Sequence, residues 1–318
     1  MKRQIKEAGK RSKQYWLVLV LLAIAIVGGY AGRALSAPPI AQTTFATPAD
    51  AGKALRNAAA KGDEGTLATI LGPDSKVILS SGDPREDKAA LQEFVAKFDQ
   101  MNRWTATTDG SQILKIGADN YAFPLPLRQN DSSKWFFDTD AGADEILARR
   151  IGRNELLAID AVSAIAYAED LYASDSRDGN AAGVFTTKIF STAGKQDGLF
   201  WQVSADKDPS PLGRVNEFAA DALQTPGEAP VIDGYTYRIL TAQGYAAEGG
   251  AKSYLVDGKL TAGFAVIASP VKYADSGIMT FIINQEGDVY QQDLGDQTSK
   301  VAASIQEYNP TAEWVLVE

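Results

Sequence analysis

Residues 141–173 read AGADEILARRIGRNELLAIDAVSAIAYAEDLYA, and the class of fold turns on them. Apolar side chains at Ile146, Leu147, Ile151, Leu156, Ile159, Val162, Ile165, Ala166 and Tyr172 recur at helical intervals, as a helix with one buried face requires. Gly152 interrupts the run and is expected to mark a bend between two helices. The Asp-rich loop Ser174–Asn180 ends the helical stretch. An irregular stretch follows over about 181–232, punctuated by Pro209, Pro211, Pro226 and Pro230, with one helical-looking piece at Gly213–Leu223. The period then drops to two. Gly234–Leu240, Thr261–Ser269 and Ile278–Asn284 read as strands, and Gln285–Asp288 turns the last of them into Val289–Gln292. A helix at Thr298–Tyr308 and a strand at Glu313–Val317 complete the chain. A long helix beside an antiparallel sheet places the protein in the α+β class.

Upstream, Thr47 caps a helix that has Pro48 in its first turn and Gly62 as its stop. Asp63 starts a second short helix through Leu67 and Ile70 to Gly72. Lys76–Ser80 reads as a strand. Asp83 caps a third helix whose stripe is Leu91, Phe94, Val95, Phe98 and Met101. Strands are expected over Trp104–Thr108 into Gln112–Ile116, then Tyr121–Leu127 and Lys134–Asp138. Pro124 and Pro126 put the middle one at an edge or bulge, because proline has no N–H to give a ladder. This order of helices and strands is similar to the cone-shaped fold typified by nuclear transport factor two. The domain map is therefore a cone-like module over 47–140 and a module of long helix plus antiparallel sheet over 141–318.

Ahead of both lies a different kind of sequence. Tyr15–Gly32 is 18 residues without a charge, about 27 Å as a helix, enough for most of a hydrocarbon core. Residues 1–14 hold six basic groups and one acid, a local +5, which leaves −14 on the remainder of a chain whose formal net charge is −9. Cations stay in the cytoplasm, so the segment is expected to place the body in the periplasm or outside the cell, anchored in the inner membrane. Ala34-Leu-Ser36 offers small residues for signal cleavage and release. The length of the apolar run and the nearness of Arg33 favour retention, with 33–46 as an extended tether.

The 318-residue chain has no Cys and no His. Disulfides, thiolate nucleophiles, Ser-His-Asp triads and His-ligated metals are thereby excluded. Acid–base chemistry must come from Asp, Glu, Lys or Tyr. So acidic a body also repels phosphate backbones, which argues against nucleic acid as a partner.

Five separated blocks resemble one bacterial family, the domain of unknown function 2950, from about Thr44 to the C-terminus. They are Arg149-Arg-Ile-Gly-Arg-Asn-Glu-Leu156, Gly194-Lys-Gln-Asp-Gly-Leu-Phe-Trp201, Pro209-Ser-Pro-Leu-Gly213, Tyr237-Arg-Ile-Leu-Thr-Ala-Gln-Gly244 and Ser276-Gly-Ile-Met-Thr-Phe281. The resemblance implies an exported bacterial protein and assigns no activity and no functional residue. Separately, the helix containing Ala-Tyr-Ala-Glu-Asp-Leu-Tyr172, followed by a loop, Gly234-Tyr-Thr-Tyr237 and a sheet, is similar to the globular domains of pilins and pseudopilins. The N-terminus departs from the prepilin pattern, since Gly9 is followed by Lys10 and the fifth position is Gln14 rather than Glu.

Candidate chemistry is sparse. Asp175, Asp178 and Asn180, with Glu169 and Asp170 nearby, gather negative charge at a helix C-terminus, where a Ca²⁺ ion would relieve repulsion. The competing reading is a solvated polar turn. Ser204-Ala-Asp-Lys207 has the spacing of an acyl-transfer pair but reads as a loop, and Asp275-Ser-Gly277 reads as a turn. Asn130-Asp-Ser132 is likewise turn chemistry. Trp104, Trp135, Phe136 and Phe137 are core residues or the lining of an apolar pocket. Glu155 and Asp160, five apart on one helix, face different sides. No catalytic residue is assigned. The preferred expectation is a non-enzymatic binding or scaffold protein tethered in the cell envelope, with an envelope protein as partner. A periplasmic carboxylate hydrolase and a pseudopilin-like export component are the alternatives.

Overall fold

The computed structural model describes residues 42–72, 75–79, 84–202, 209–215 and 230–317. The apolar run Tyr15–Gly32, the Ala34–Ser36 site, most of the tether, Asp83, Ser204, Lys207 and residues 216–223 lie outside them. Among the described residues no helix is long and apolar enough to cross a membrane. Residues 41–318 form one compact unit of α+β architecture with antiparallel sheets.

Helix α1 (Pro48–Lys61) begins where the sequence says it should. The Thr47 hydroxyl oxygen accepts from the Asp50 N–H at 3.2 Å, and Gly62 at φ 61° closes the other end in a conformation that a Cβ would oppose. Helix α2 (Glu64–Leu71) follows under an Asp63 cap. Lys76–Leu79 is a short helix, α3, and not the expected strand. Ser75 is buried, and its carbonyl accepts from the N–H groups of Ile78 and Leu79, so local turns satisfy the backbone before any strand partner can. Strand preference at Val77 and Ile78 yields to context here. Helix α4 (Pro84–Gln100) carries the stripe read from sequence, with Phe98 buried and Leu91, Phe94 and Val95 packed beside the core.

The first sheet comprises β1 (Asn102–Ala106), β2 (Gln112–Ile116), β3 (Tyr121–Ala122), β4 (Leu127–Gln129) and β5 (Trp135–Phe137). Its order is β1-β2-β4-β5, with β3 also on β2. The expected strand 121–127 is thus two short strands, split by the segment bearing Pro124 and Pro126, neither of which can donate. The chain enters this layer at Gln42, whose amide donates to the carbonyls of Ile70, Leu71 and Phe137 at 3.1, 3.0 and 2.7 Å. Phe45 then pairs with Trp135 beyond the β5 edge.

Helix α5 (Thr139–Ala173) is one helix of 35 residues, capped by Asp138, and runs through Gly152 without the expected break. Glycine lowers helix stability by at most about 1 kcal/mol, less than packing along both halves of α5 restores. Near its start, Gly142 lies against Leu125, where a Cβ would come within 2.5 Å of Cγ. Farther on, Ala158, Val162, Ile165 and Tyr172 join the second core.

That core lies against a six-stranded antiparallel sheet ordered β15-β14-β13-β12-β7-β6. The strands are β6 (Val231–Ile232), β7 (Tyr235–Leu240), β12 (Ala265–Pro270), β13 (Met279–Asn284), β14 (Tyr290–Asp293) and β15 (Val315–Leu316), with β8 (Ala242–Gln243), β9 (Lys252–Ser253), β10 (Leu255–Val256) and β11 (Lys259–Leu260) forming two small hairpin sheets. Val266 pairs with Ile239 on one side and Ile283 on the other. Strand β12 starts four residues later than the sequence pattern suggests, after Gly263 at φ 133°. A short helix, α6 (Pro211–Val215), packs on α5, and α7 (Thr298–Ser304) packs on β12. Helix α7 stops short of Tyr308 because Ile305 turns extended, and Tyr308 instead pairs with Gln243.

Polar contacts seat α5 on the turn before β13. Arg150 pairs with Asp275, Asn154 Nδ2 donates to the Ser276 carbonyl at 2.9 Å, and Glu155 Oε1 accepts from the N–H groups of Ile278 and Met279 at 2.9 and 3.0 Å. Gly277 is required below them, since a Cβ there would come within 2.1 Å of the Tyr235 hydroxyl oxygen. Two measurements check the continuous helix. Ile165→Ala, at a fully buried position, is expected to cost about 2–5 kcal/mol in urea unfolding, whereas Ile146→Ala, at a position 36% exposed, should cost less than about 1 kcal/mol.

Candidate functional site

The apolar stripe of α5 contains one acid. Val162, Ile165, Ala166, Glu169 and Tyr172 follow at helical spacing, so Glu169 points inward with the others and is fully buried. Its Oε2 accepts from the backbone N–H of Thr186 at 3.0 Å, while Oε1 has no hydrogen-bond partner. Burial disfavours a charge and pushes the Glu169 carboxyl well above the usual carboxylate range. The Thr186 N–H pulls the other way, and the neighbouring Asp170 adds to the rise.

Residues 183–201 cross over this acid as a strap. Thr186 Oγ1 donates to the Asp197 carbonyl at 2.7 Å and accepts from the Lys188 N–H at 3.1 Å. Lys188 Nζ reaches Asp197 Oδ2 at 2.5 Å, and Thr192 supplies its N–H and hydroxyl to the same carboxylate at 2.7 and 2.8 Å. Burial opposes the Asp197 charge, but Lys188 and Thr192 outweigh it and hold the carboxyl at about 2. Phe190 and Phe200 meet edge to face at 5.8 Å, and Gly198 fits so closely that a Cβ would come within 2.7 Å of the Ser191 nitrogen.

The loop that ends α5 closes the flank. Asp178 at φ 47° and Gly179 at φ 78° sit between the paired residues Arg177 and Asn180, a two-residue turn of type I′. Arg177 folds back over the rings of Tyr172 and Trp201, 5.8 and 5.5 Å from their centroids, and donates from Nε to the Tyr172 carbonyl at 3.2 Å. The Trp201 indole N–H is buried without a partner.

Of the residues expected to share a cation, Glu169 turns inward and the others outward. Asp175 is exposed and paired with Arg177 at 2.7 Å, Asp178 is exposed on its turn, Asn180 is half-buried in the hairpin, and Asp170 is exposed. Among the described residues no three Asp or Glu side chains come together in a group that could hold a metal ion. Asp275–Gly277 is a turn, with the Asp275 and Ser276 N–H groups bonded to the Lys272 carbonyl. Asn130 closes its own turn by accepting from the N–H groups of Ser132 and Lys134. Glu155 faces β13 and Asp160 is exposed, on different sides of α5. Phe137 is core, and Trp104 and Trp135 pack against it. An open groove of about 240 Å³ lies instead beside Ile113, Phe123, Pro124, Pro126 and Ala141, with Glu145 and Arg149 joined across its rim at 2.8 Å. Phe136 does not line it.

The buried acid was legible in the periodicity, since Glu169 stands four residues after Ile165 and three before Tyr172. Glu169 thus belongs to the buried stripe and not to the surface cluster of Asp170, Asp175 and Asp178. The roles of Thr186 and Trp201 carry no such signal, because the strap has no regular period.

A family model described as "Protein of unknown function (DUF2950)" matches residues 42–317. The match begins at Gln42, the residue whose amide clamps the incoming chain. No curated protein and no solved structure matches the chain.

The Asp197 knot makes a prediction on the acid side. A carboxyl held at about 2 in the fold and near its ordinary 3.8 when unfolded stabilises above the ordinary value and loses that contribution as pH falls through the lower one. Melting temperature against pH is expected to fall between pH 4 and 2, with a shallower slope in Asp197→Asn.

Proposed function

The chain belongs to the DUF2950 family, and we propose that it is a non-enzymatic binding or scaffold protein of the bacterial cell envelope, held at the inner membrane by residues 15–32. The observation that carries this reading is the asymmetry of the chain, 18 uncharged residues behind six cations and then a body of strongly negative charge. A cationic flank resists translocation, so the acidic remainder is the part that crosses. The clamp at Gln42 supports the reading from the other side, because a tether must end on a segment that the fold holds firmly.

The finer description of the fold belongs to the same proposal. Helices α1, α2 and α4 against the first sheet support a cone-like module over 47–140, and α5 laid on the six-stranded sheet supports a pilin-like one over 141–318. The groove beside Phe123, where the first module meets the start of α5, is the binding feature we assign. Ligand pockets for drug-sized molecules run to about 300–1,000 Å³, so a groove of about 240 Å³ suits a single apolar side chain of a protein partner. Its proline-rich wall is rigid, and Arg149, donating to the Ala122 carbonyl at 2.8 Å, fixes the rim.

A reporter enzyme that works only outside the cytosol, fused after Glu318, is expected to be active, and removal of residues 1–32 to abolish that activity. A cytosol-only reporter active at the same position would overturn the location and the role together. A photo-crosslinker at Phe123 is expected to trap one reproducible envelope protein, whereas the same probe at exposed Asp131 should not.

A further inference from the structure

We propose that Glu169 is a proton-operated latch that holds the 183–201 strap against α5. The strap touches Glu169 through one hydrogen bond, from the Thr186 N–H to Oε2, and the second oxygen faces the interior without a donor. A neutral carboxyl is stable in such a place. A carboxylate is not, because one amide cannot replace its hydration.

Two of the described cations on the strap and hairpin are committed elsewhere, and the third, Lys195, is exposed on the turn after Thr192. On the strap, Lys188 is bound to Asp197; on the hairpin, Arg177 is bound to Asp175 and lies over Tyr172 and Trp201. The remaining titratable groups around Tyr172 and Glu169 are Asp170, Asp178 and Asp197, all of which oppose a further negative charge. The buried phenol of Tyr235 belongs to the other end of α5, where it donates to the Met279 carbonyl beside Glu155. Ionisation therefore places an unpaired charge between helix and strap, and the cheapest relief is for the strap to lift and admit water. Its own knot, from Thr186 to Phe200, stays tied by Asp197 while it moves, so it moves as a unit.

The sign follows from where the proton sits. The closed form holds the Glu169 proton above the ordinary glutamate range, near 4.3, and the open form releases it there. Closure is therefore favoured at low pH and weakens as pH rises through the raised value, by up to about tenfold in the opening equilibrium per pH unit. Lifting exposes Phe190 and Phe200, an apolar surface that the closed strap keeps against the second core. The latch is independent of membrane tethering.

Hydrogen exchange of the full chain, followed by mass spectrometry and corrected for intrinsic rates, tests it. Protection at Thr186 and Phe185, whose N–H groups bond out of the strap to Glu169 and to the Leu260 carbonyl, is expected to fall with rising pH while β12 and β13 keep theirs. Glu169→Gln, which cannot ionise, should hold the strap amides at one level across the range. Asp170→Asn, at an exposed position, should move the transition to lower pH by removing a like charge. The proposal is overturned if Glu169→Gln retains the wild-type pH dependence, if strap protection is flat in the wild type, or if β13 opens together with the strap. Should Glu169→Gln fail to fold, an Asp170→Asn transition that stays in place or moves up overturns it alone.

Discussion

Much of this protein depends on the seating of α5. One helix of 35 residues serves two apolar cores, meeting Leu125 through Gly142 at its start and the six-stranded sheet through Val162, Ile165 and Tyr172 farther on. Apolar burial supplies the attraction but does not fix the position of a helix along its axis. The polar contacts do. Asn154 and Glu155 meet specific backbone groups of the turn before β13, and a slide of one residue would leave the Ile278 and Met279 N–H groups buried without acceptors. Two of the blocks that carry the family resemblance, Arg149–Leu156 and Ser276–Phe281, are the two sides of that contact.

The same economy appears elsewhere in the fold. Acidic side chains that the chain takes out of water are used to tie backbone segments together. Asp138 caps α5 and pairs with Arg128, and Asp197 knots the strap. Glu169 is the departure from this pattern, a fully buried acid with one donor for two oxygens. An acid in that state is stable only with its proton, which makes its surroundings sensitive to pH in a way that the fully bonded carboxylates are not. Glu155 and Glu169 thus stand 14 residues apart on the same helix with opposite chemistry, one anchored by two amides and one nearly bare.

Legibility in the sequence followed the range of the interactions involved. The caps at Thr47, Asp63, Gly62 and Gly72, the stripe on α4, and the strands at 235–240 and 279–284 were readable because each is set by neighbours within a few positions. The segment 76–79 and the unbroken passage through Gly152 were not. In the first, a turn closed by Ser75 on Gly72 outweighs the strand preference of the apolar residues; in the second, packing along the whole buried face of α5 outweighs the glycine. The candidate site divides in the same way. Glu169 lies on a period that could be counted, whereas Thr186, Lys188 and Trp201 reach it from a strap with no period at all.

By itself, then, the sequence determined what depends on composition and on short spacings: an α+β chain without thiol or imidazole chemistry, led by an apolar segment behind cations, with helices stopped and started by residues that can be named in advance. Tertiary structure alone decided which of the carboxylates are fastened, which one is left without a donor, and which of two readings a segment takes. Desolvation is the reason. A side chain's charge state depends on how much water the rest of the fold removes from it, and that is a property of segments far apart along the chain that no local spacing records.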